Sequence, residues 1–320
     1  MGKKKKVTFI VVIGLLTLII IGLAVMSVIT GKKVSDGILN QNENNDTKRN
    51  SIEQLKLWNY DAESFHERYK GTDFEIVSSD MNIVPGTIYL CNEDSDRWVI
   101  LIHGAGGDRE CVIPLAEGYL QNGYNVLTYD QRGHGDNSDG RVCFGILEKN
   151  DVEALVDYAR NDWNAEFVVV HGQSMGGQTA GLYAATEHAE KKADAVILDS
   201  PVPGLEILMF LMFTEEGCDE YAAKYILSCG RTYAKIVEGI DYSDGDTIEK
   251  MKDVTIPCAV ILSERDETCL PEYVEQVFDN VASEKKVLIR MDSKHIEGVI
   301  DHKEKYFSNI FEFLLLIEEK

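Results

Sequence analysis

The chain has 320 residues, 44% of them apolar, and a formal net charge of −22. This length and composition fit a globular protein of one large or two modest domains. The negative charge argues against polyanionic partners, because an acidic surface repels nucleic acid and anionic lipid head groups. We therefore expect no nucleic-acid partner.

The N-terminal region is apolar and flanked by lysines. Lys3–Lys6 precede an uncharged stretch, Val7–Ile29, and Lys32 and Lys33 follow it. At about 1.5 Å per residue this stretch would form a helix roughly 34 Å long, enough to cross a bilayer core of about 30 Å. A cleaved signal peptide is the alternative. Its apolar region would be shorter, about 7–15 residues, and would end in a small-x-small site that Val28-Ile29-Thr30 does not provide.

We therefore predict an uncleaved, single-pass membrane anchor over residues 1–33. More lysines precede the span than follow it, which favours a cytoplasmic N-terminus and a domain on the extracytoplasmic side of the cell membrane. Residues 34–50 are polar and rich in Asn, a composition typical of a flexible linker. The domain would then occupy residues 51–320 and begin with an amphipathic helix from Ser51 to Arg68.

Eight strand-like runs follow this helix. The first two alternate in polarity and predict an antiparallel pair, whereas most of the others are continuous apolar runs typical of parallel strands buried on both faces. Helical patterns separate most of the runs, so we predict an α/β fold with helices on both faces of a mostly parallel sheet. The runs are Phe74–Ser79, Gly86–Asn92, Trp98–Ile102, Tyr124–Tyr129, Phe167–Val170, Ala195–Leu198, Cys258–Leu262 and Lys286–Arg290.

One connection is much longer than the others. Residues 201–256, between the sixth and seventh strands, contain helical patterns and no convincing strand. Long insertions of this kind are usually lids or binding loops, so we predict a helical, cap-like insertion. Its apolar beginning, Leu205–Phe213, is suited to line an acyl pocket, although helices that merely cover the sheet have the same composition.

The segment after the fifth strand fits two motifs. Residues 172–176 read G-x-S-x-G, the turn that exposes a nucleophilic serine in hydrolases. Residues 172–179 also resemble the sequence motif of the phosphate-binding P-loop, but that motif requires Lys at the position of Gln178. A neutral amide cannot neutralise phosphate charge, so we favour Ser174 as a nucleophile.

A serine nucleophile needs an imidazole base that is oriented by a carboxylate, in the chain order serine, acid, histidine. His295 directly follows the last predicted strand, whereas His302 lies further on, where a helix begins. Asp266 follows the seventh strand and is the acid that we favour. The other acids considered are Glu264, Glu267 and Asp199.

The oxyanion that forms during acyl transfer needs backbone N–H donors. The third strand ends in His103-Gly104-Ala105, where small residues allow the main chain to approach a ligand closely. We predict the N–H groups of Ala105 and Met175 as these donors. His103 precedes the serine, and we expect it to hold the loop rather than to act as the base.

Together these motifs resemble the α/β-hydrolase superfamily from about Phe74 to the C-terminus. The resemblance rests on H-G-A-G-G after strand three, Tyr129–Ser138 after strand four and G-Q-S-M-G-G at the serine, with Asp266 and His295 following in order. Within the superfamily the chain is similar to esterases, monoacylglycerol-lipase-like and serine-aminopeptidase-like proteins. The resemblance implies an α/β-hydrolase fold with Ser174 as nucleophile, and Arg132–Gly135 as a structural turn near the site.

The implied function is that of a membrane-anchored serine hydrolase that cleaves carboxylic esters through an acyl-enzyme, without metal or cofactor. Its substrate would be a small-molecule or lipid-like ester. Two alternatives remain. The same triad could cleave amides, peptides or thioesters, or the chain could be a tethered binding protein on a catalytically silent hydrolase scaffold.

Overall fold

The structure, a computed structural model, describes residues 3–42, 45–91, 95–137 and 140–318. One eight-stranded sheet forms there in the order β1-β2-β4-β3-β5-β6-β7-β8. β2 runs antiparallel to both of its neighbours, β1 and β4, and the other five pairs are parallel. The predicted mostly parallel sheet and its antiparallel first pair are therefore confirmed. The strands are β1 (Thr72–Val77), β2 (Ile83–Tyr89), β3 (Arg97–Ile102), β4 (Asn125–Tyr129), β5 (Phe167–Gln173), β6 (Ala195–Asp199), β7 (Cys258–Ser263) and β8 (Lys286–Met291).

Thirteen α-helices lie among the described residues, together with short 3₁₀ turns and a π-helical turn over residues 234–238. The helices are α1 (Lys3–Leu39), α2 (Thr47–Leu57), α3 (Ala62–Arg68), α4 (Ile113–Gln121), α5 (Glu148–Asp162), α6 (Met175–Ala184), α7 (Glu187–Lys192), α8 (Leu205–Glu215), α9 (Glu220–Tyr233), α10 (Thr247–Lys250), α11 (Pro271–Asn280), α12 (Gly298–Asp301) and α13 (Lys303–Glu318).

The start of the domain differs from the sequence prediction. The single helix expected from Ser51 to Arg68 is two helices, α2 and α3, because the chain turns between them at Asn59, whose φ is +50°. The interval 34–50, predicted to be a flexible linker, is helical at both ends: α1 continues to Leu39, and α2 begins at Thr47.

Helices cover both faces of the sheet because its strands are apolar on both sides. In β3, Val99 and Leu101 point into a core cluster that contains residues of α4 and α13. Their neighbour Trp98 points to the other face, where its ring meets Trp163 at the end of α5. Successive side chains of a strand alternate between faces, so a run that is buried throughout requires a helical layer on each side.

Contacts divide the chain into two compact units, Met1–Leu39 with Met209–Tyr242 and Asn40–Leu208 with Ser243–Lys320. The second unit contains the whole sheet. The first unit contains α1, α9 and most of α8, so part of the predicted insertion packs with the N-terminal helix. Cys111 and Cys258 are thiols buried in the second unit.

Within the first unit, α1 and α9 approach each other closely. A Cβ on Gly31 would lie 2.5 Å from the carbonyl oxygen of Cys229, and a Cβ on Gly230 would lie 2.4 Å from Val34 Cγ1. The hydroxyl groups of Ser27 and Tyr225 are 2.8 Å apart and form a hydrogen bond between the same two helices. The missing side chains of the two glycines therefore set the distance between α1 and α9.

Candidate active site

Ser174 sits on a strained turn between β5 and α6. Its backbone has φ 57° and ψ −119°, a conformation that non-glycine residues rarely adopt and that costs about 1–3 kcal/mol. Two glycines allow the chain to fold so tightly. A Cβ on Gly172 would lie 1.9 Å from the Gly176 carbonyl oxygen, and one on Gly176 would lie 2.2 Å from the Ile102 carbonyl oxygen. The G-x-S-x-G spacing is thus required by contacts between backbones.

The structure brings Ser174, His295 and Asp266 together at the carboxyl edge of the sheet. The Nε2 atom of His295 lies 2.8 Å from Ser174 Oγ, and its Nδ1 atom lies 2.7 Å from Asp266 Oδ2. An ionised carboxylate can only accept hydrogen bonds. Nδ1 of a neutral His295 therefore carries the proton, and Nε2 is free to accept the Ser174 hydroxyl proton.

Asp266 is fixed by the loop that follows β7. Its Oδ1 atom accepts the N–H groups of Thr268 and Cys269, both at 2.8 Å, while Oδ2 faces His295. The side chain is only 1% exposed, whereas that of His295 is 20% exposed. Both oxygens of the carboxylate are thereby occupied, which holds the imidazole ring in one orientation.

The other acid considered at the end of a strand, Asp199, has a different environment. Its Oδ2 atom accepts hydrogen bonds from Gln173 at 2.9 Å and from the Tyr306 hydroxyl at 2.6 Å, and burial raises the pKa of its carboxyl. Its carbonyl oxygen accepts the Ser174 N–H at 2.8 Å. Asp199 therefore braces the serine turn from β6. His302 is half-buried, and its Nε2 lies 3.0 Å from the Asp292 carbonyl oxygen.

The loop after β3, residues 103–108, passes directly beside the serine. A Cβ on Gly104 would lie 3.2 Å from Ser174 Cβ. His103 Nδ1 donates to the Gly104 carbonyl oxygen at 2.7 Å. Because a trans peptide points its C=O and N–H in opposite directions, this bond turns the Ala105 N–H away from the ring. Met175, the first residue of α6, has an N–H without an acceptor inside the helix.

His134 supports the same loop from the turn after β4. Its Nδ1 donates to the Arg132 carbonyl oxygen at 2.8 Å, and its Nε2 accepts the Gly106 N–H at 3.0 Å. Burial lowers the pKa of His134 to about 3 and that of His103 to about 4. Both rings are therefore neutral at physiological pH and act as fixed hydrogen-bonding struts, which gives the predicted Arg132–Gly135 turn a definite task.

Two further features bear on the sequence interpretation. Gln178, which stands where a P-loop would have Lys, is buried and donates to the Gly245 carbonyl oxygen at 2.7 Å. Sequence reasoning missed Asn50 and Ser51, which bond to the 103–108 loop from α2. The only signal for Asn50 in the sequence was the Asn-rich composition of residues 34–50, which is equally typical of an unstructured linker. Ser51 stood out only as the first residue of a predicted helix.

A cavity of about 630 Å³ lies beside His295 and Asp266. Its lining is rich in charge, with three glutamates, one arginine and one lysine, and Arg265 is paired with Asp292 at 2.8 Å. Several charged side chains therefore lie next to the imidazole. The lining residues are Glu264, Arg265, Asp266, Glu267, Thr268, Lys294, His295 and Glu297.

Comparison with known proteins gives the same picture of the fold. A family model described as alpha/beta hydrolase fold matches residues 97–249. An uncharacterized Bacillus subtilis protein, YqkD, is 26% identical over 259 residues, covering 79% of this chain and 81% of its own. A thermostable monoacylglycerol lipase from a Bacillus species is 23% identical over 239 residues, covering 71% of this chain and 93% of its own.

Solved structures agree. An esterase from Pyrococcus furiosus is similar with a TM-score of 0.64 at 21% identity, covering 81% of this chain and 96% of its own. An enol-lactonase from Burkholderia xenovorans has a TM-score of 0.54 at 17% identity, covering 76% of this chain and 100% of its own. These similarities establish the fold, and the resemblance inferred from the sequence motifs is confirmed.

Replacing Gly176 by Ala should destabilise the protein by at least about 2 kcal/mol, because the added methyl group meets the β3 backbone, which cannot yield without moving the strand. Urea unfolding measures the loss. Gly140→Ala is the matched control, since a Cβ there has no heavy atom within 4 Å. Equal stability of the two variants would contradict the close packing of the serine turn.

Neutral His134 should make part of the stability depend on pH. Its folded pKa lies below the ordinary value of 6.5, so the unfolded chain binds the proton first as pH falls, and the folded state loses stability between about pH 6.5 and 3. His134→Asn cannot titrate. The stability advantage of the wild type over this variant should therefore shrink by up to about 1.4 kcal/mol per pH unit in that window.

Urea unfolding at pH 7 and pH 5 tests this difference. Glu148, whose pKa is raised to about 7 by burial, contributes with the opposite sign, but it is present in both proteins and cancels. A stability difference that stays constant between the two pH values would show that His134 is not held neutral.

Proposed function

We propose that this chain, which has the α/β-hydrolase fold, is a serine hydrolase that cleaves carboxylic esters. The observation that carries the proposal is the continuous hydrogen-bonded series from Ser174 Oγ through His295 to Asp266. Three side chains from three separate loops meet with the distances and the donor order that activation of a serine hydroxyl needs.

In the proposed reaction Ser174 Oγ attacks the ester carbonyl carbon while His295 Nε2 takes the hydroxyl proton. Asp266 stabilises the resulting imidazolium, and the Ala105 and Met175 N–H groups bind the oxyanion of the tetrahedral intermediate. The proton then passes from His295 to the leaving alcohol, which departs and leaves an acyl-serine. A water molecule, deprotonated by His295, releases the acid and restores the serine.

Ester cleavage is favoured over amide cleavage by what the relatives are called. The similar proteins include a monoacylglycerol lipase, an esterase and an enol-lactonase, whose names refer to ester or lactone substrates. The same three residues would also serve an amide, peptide or thioester hydrolase. A catalytically silent binding protein is less consistent with three residues that retain working distances.

Replacing Ser174 by Ala should reduce ester turnover by at least about 10⁴-fold, because no other group can form the acyl intermediate. A panel of p-nitrophenyl esters of rising chain length, with a monoacylglycerol and an aminoacyl anilide, measures activity and substrate class. A fluorophosphonate probe should label the wild type and not the variant.

The exposed Ser79 provides the control: Ser79→Ala should retain full turnover and labelling. If Ser174→Ala kept ester turnover within a few-fold of the wild type, the mechanism would be wrong. A wild-type protein that forms no adduct at pH 7–8 would point to the silent scaffold.

We further propose that α1 is a retained single-pass anchor that holds the domain on the extracytoplasmic side. A helix from Lys6 to Leu39 is long and apolar enough to cross a membrane. Retention is supported by its packing on α9, where Gly31 and Gly230 admit close approach and Ser27 bonds Tyr225. Removal of a leader would leave this glycine-lined surface of α9 without its partner. The lysine distribution supports the orientation.

The full chain should therefore remain in the carbonate-resistant membrane fraction with its N-terminal residues intact. Protease added outside spheroplasts should digest the domain, while a cytoplasmic marker protein in the same cells stays protected. Mass spectrometry of the purified protein reads the N-terminus directly. A soluble product that lacks the apolar helix would instead identify a cleaved leader.

A further inference from the structure

The 103–108 loop beside Ser174 is held by two residues from much earlier in the chain, Asn50 and Ser51. Asn50 Nδ2 donates to the Gly106 carbonyl oxygen at 2.8 Å. Gly106 has φ +76°, a backbone conformation that favours glycine. The loop is thus anchored at Gly106. Its neighbour Ala105, whose N–H would donate to the oxyanion, is exposed.

The hydrogen bonds of Asn50 belong to a closed ring that begins and ends on Gly106. The Asn50 amide also donates to Asn45 Oδ1 at 2.9 Å, and the Asn45 amide donates to Asn42 Oδ1 at 3.1 Å. Asn42 Nδ2 lies 2.8 Å from His134 Nε2, the same atom that accepts the Gly106 N–H. Both polar groups of the Gly106 backbone are thereby bound into one ring.

Ser51 holds the following peptides of the loop. Its Oγ accepts the Asp108 N–H at 2.8 Å and donates to the Thr47 carbonyl oxygen at 3.3 Å. Gly107 makes room for this contact, because a Cβ there would lie 3.2 Å from Ser51 Oγ. Ser51 is fully buried, so this anchor is shielded from competition with water.

We propose that Asn50 and Ser51 are positioning residues for the hydrolytic reaction, which hold the 103–108 loop so that the Ala105 N–H faces the developing oxyanion. This inference rests on the proposed function. An N–H donor lowers the barrier only if its direction is fixed before charge develops. A glycine-rich loop without external anchors would have to be ordered during each catalytic cycle.

The segment between the apolar helix and the sheet thereby influences the catalytic site. Asn50 and Ser51 belong to the first turns of α2. This helix begins at Thr47, shortly after α1 ends at Leu39. A version of the domain that begins after Ser51 would retain Ser174, His295 and Asp266, yet its oxyanion loop would lack both anchors.

The test compares Asn50→Asp, Asn50→Ala and Ser51→Ala with the wild type, as full-length protein in detergent micelles. Asp preserves the size of Asn50 but cannot donate to the Gly106 carbonyl. We expect kcat for p-nitrophenyl butyrate to fall roughly 5- to 30-fold in each variant, with KM within about twofold, because loosening a donor costs less than the 10²–10³-fold of deleting one. A trifluoromethyl ketone forms an oxyanion when Ser174 Oγ adds to its carbonyl carbon. The affinity for this inhibitor should fall by the same factor.

Asn161→Ala, at an exposed amide on α5, is the matched control and should change kcat by less than about twofold. Thermal melts of all variants separate positioning from stability. The proposal is overturned if Asn50→Asp keeps wild-type kcat and ketone affinity, or if activity falls only in proportion to the folded fraction. A wild type that neither hydrolyses esters nor reacts with a fluorophosphonate would defeat the proposed function instead.

Discussion

The close contact of backbones around Ser174 is the constraint on which the rest of the site depends. The turn is strained at φ 57°, so it persists only because it is held from several directions. Gly176 rests against the end of β3, and the Asp199 carbonyl on β6 accepts the Ser174 N–H. The adjacent strands of a single sheet thus supply the rigidity that keeps one hydroxyl beside His295.

The surroundings of the turn use neutral or fully paired groups in place of free charge. His103 and His134 are uncharged struts. Arg132, in the same turn as His134, is paired inside the protein with Asp151 at 2.7 Å. Buried charge is tolerated only with such partners. His295, in contrast, keeps 20% of its side chain exposed.

The sequence predicted the elements whose signal is local and missed those that depend on distant partners. Alternating and continuous apolar runs predicted all eight strands. The positions of Asp266 and His295 after late strands predicted two side chains that lie in one hydrogen-bonded series with Ser174. The Asn-rich segment is typical of a linker by composition, because composition does not show whether side-chain amides bond to the backbone or to water. The approach of α9 to α1 at Gly31 left no periodic signal either, since its partner is far away in the chain.

Burial of the cysteines has a consequence for oxidative chemistry. Burial raises the pKa of Cys111 and of Cys258 to about 12, and only the thiolate form reacts readily with disulfides and peroxides. Cys111 also lies against Gly107, where a Cβ would be 3.0 Å from its sulfur. Oxidation of the Cys111 thiol would add oxygen atoms where its sulfur packs against Gly107, in the loop beside Ser174. Packing therefore protects the Cys111 thiol, and with it the loop beside Ser174, from oxidation.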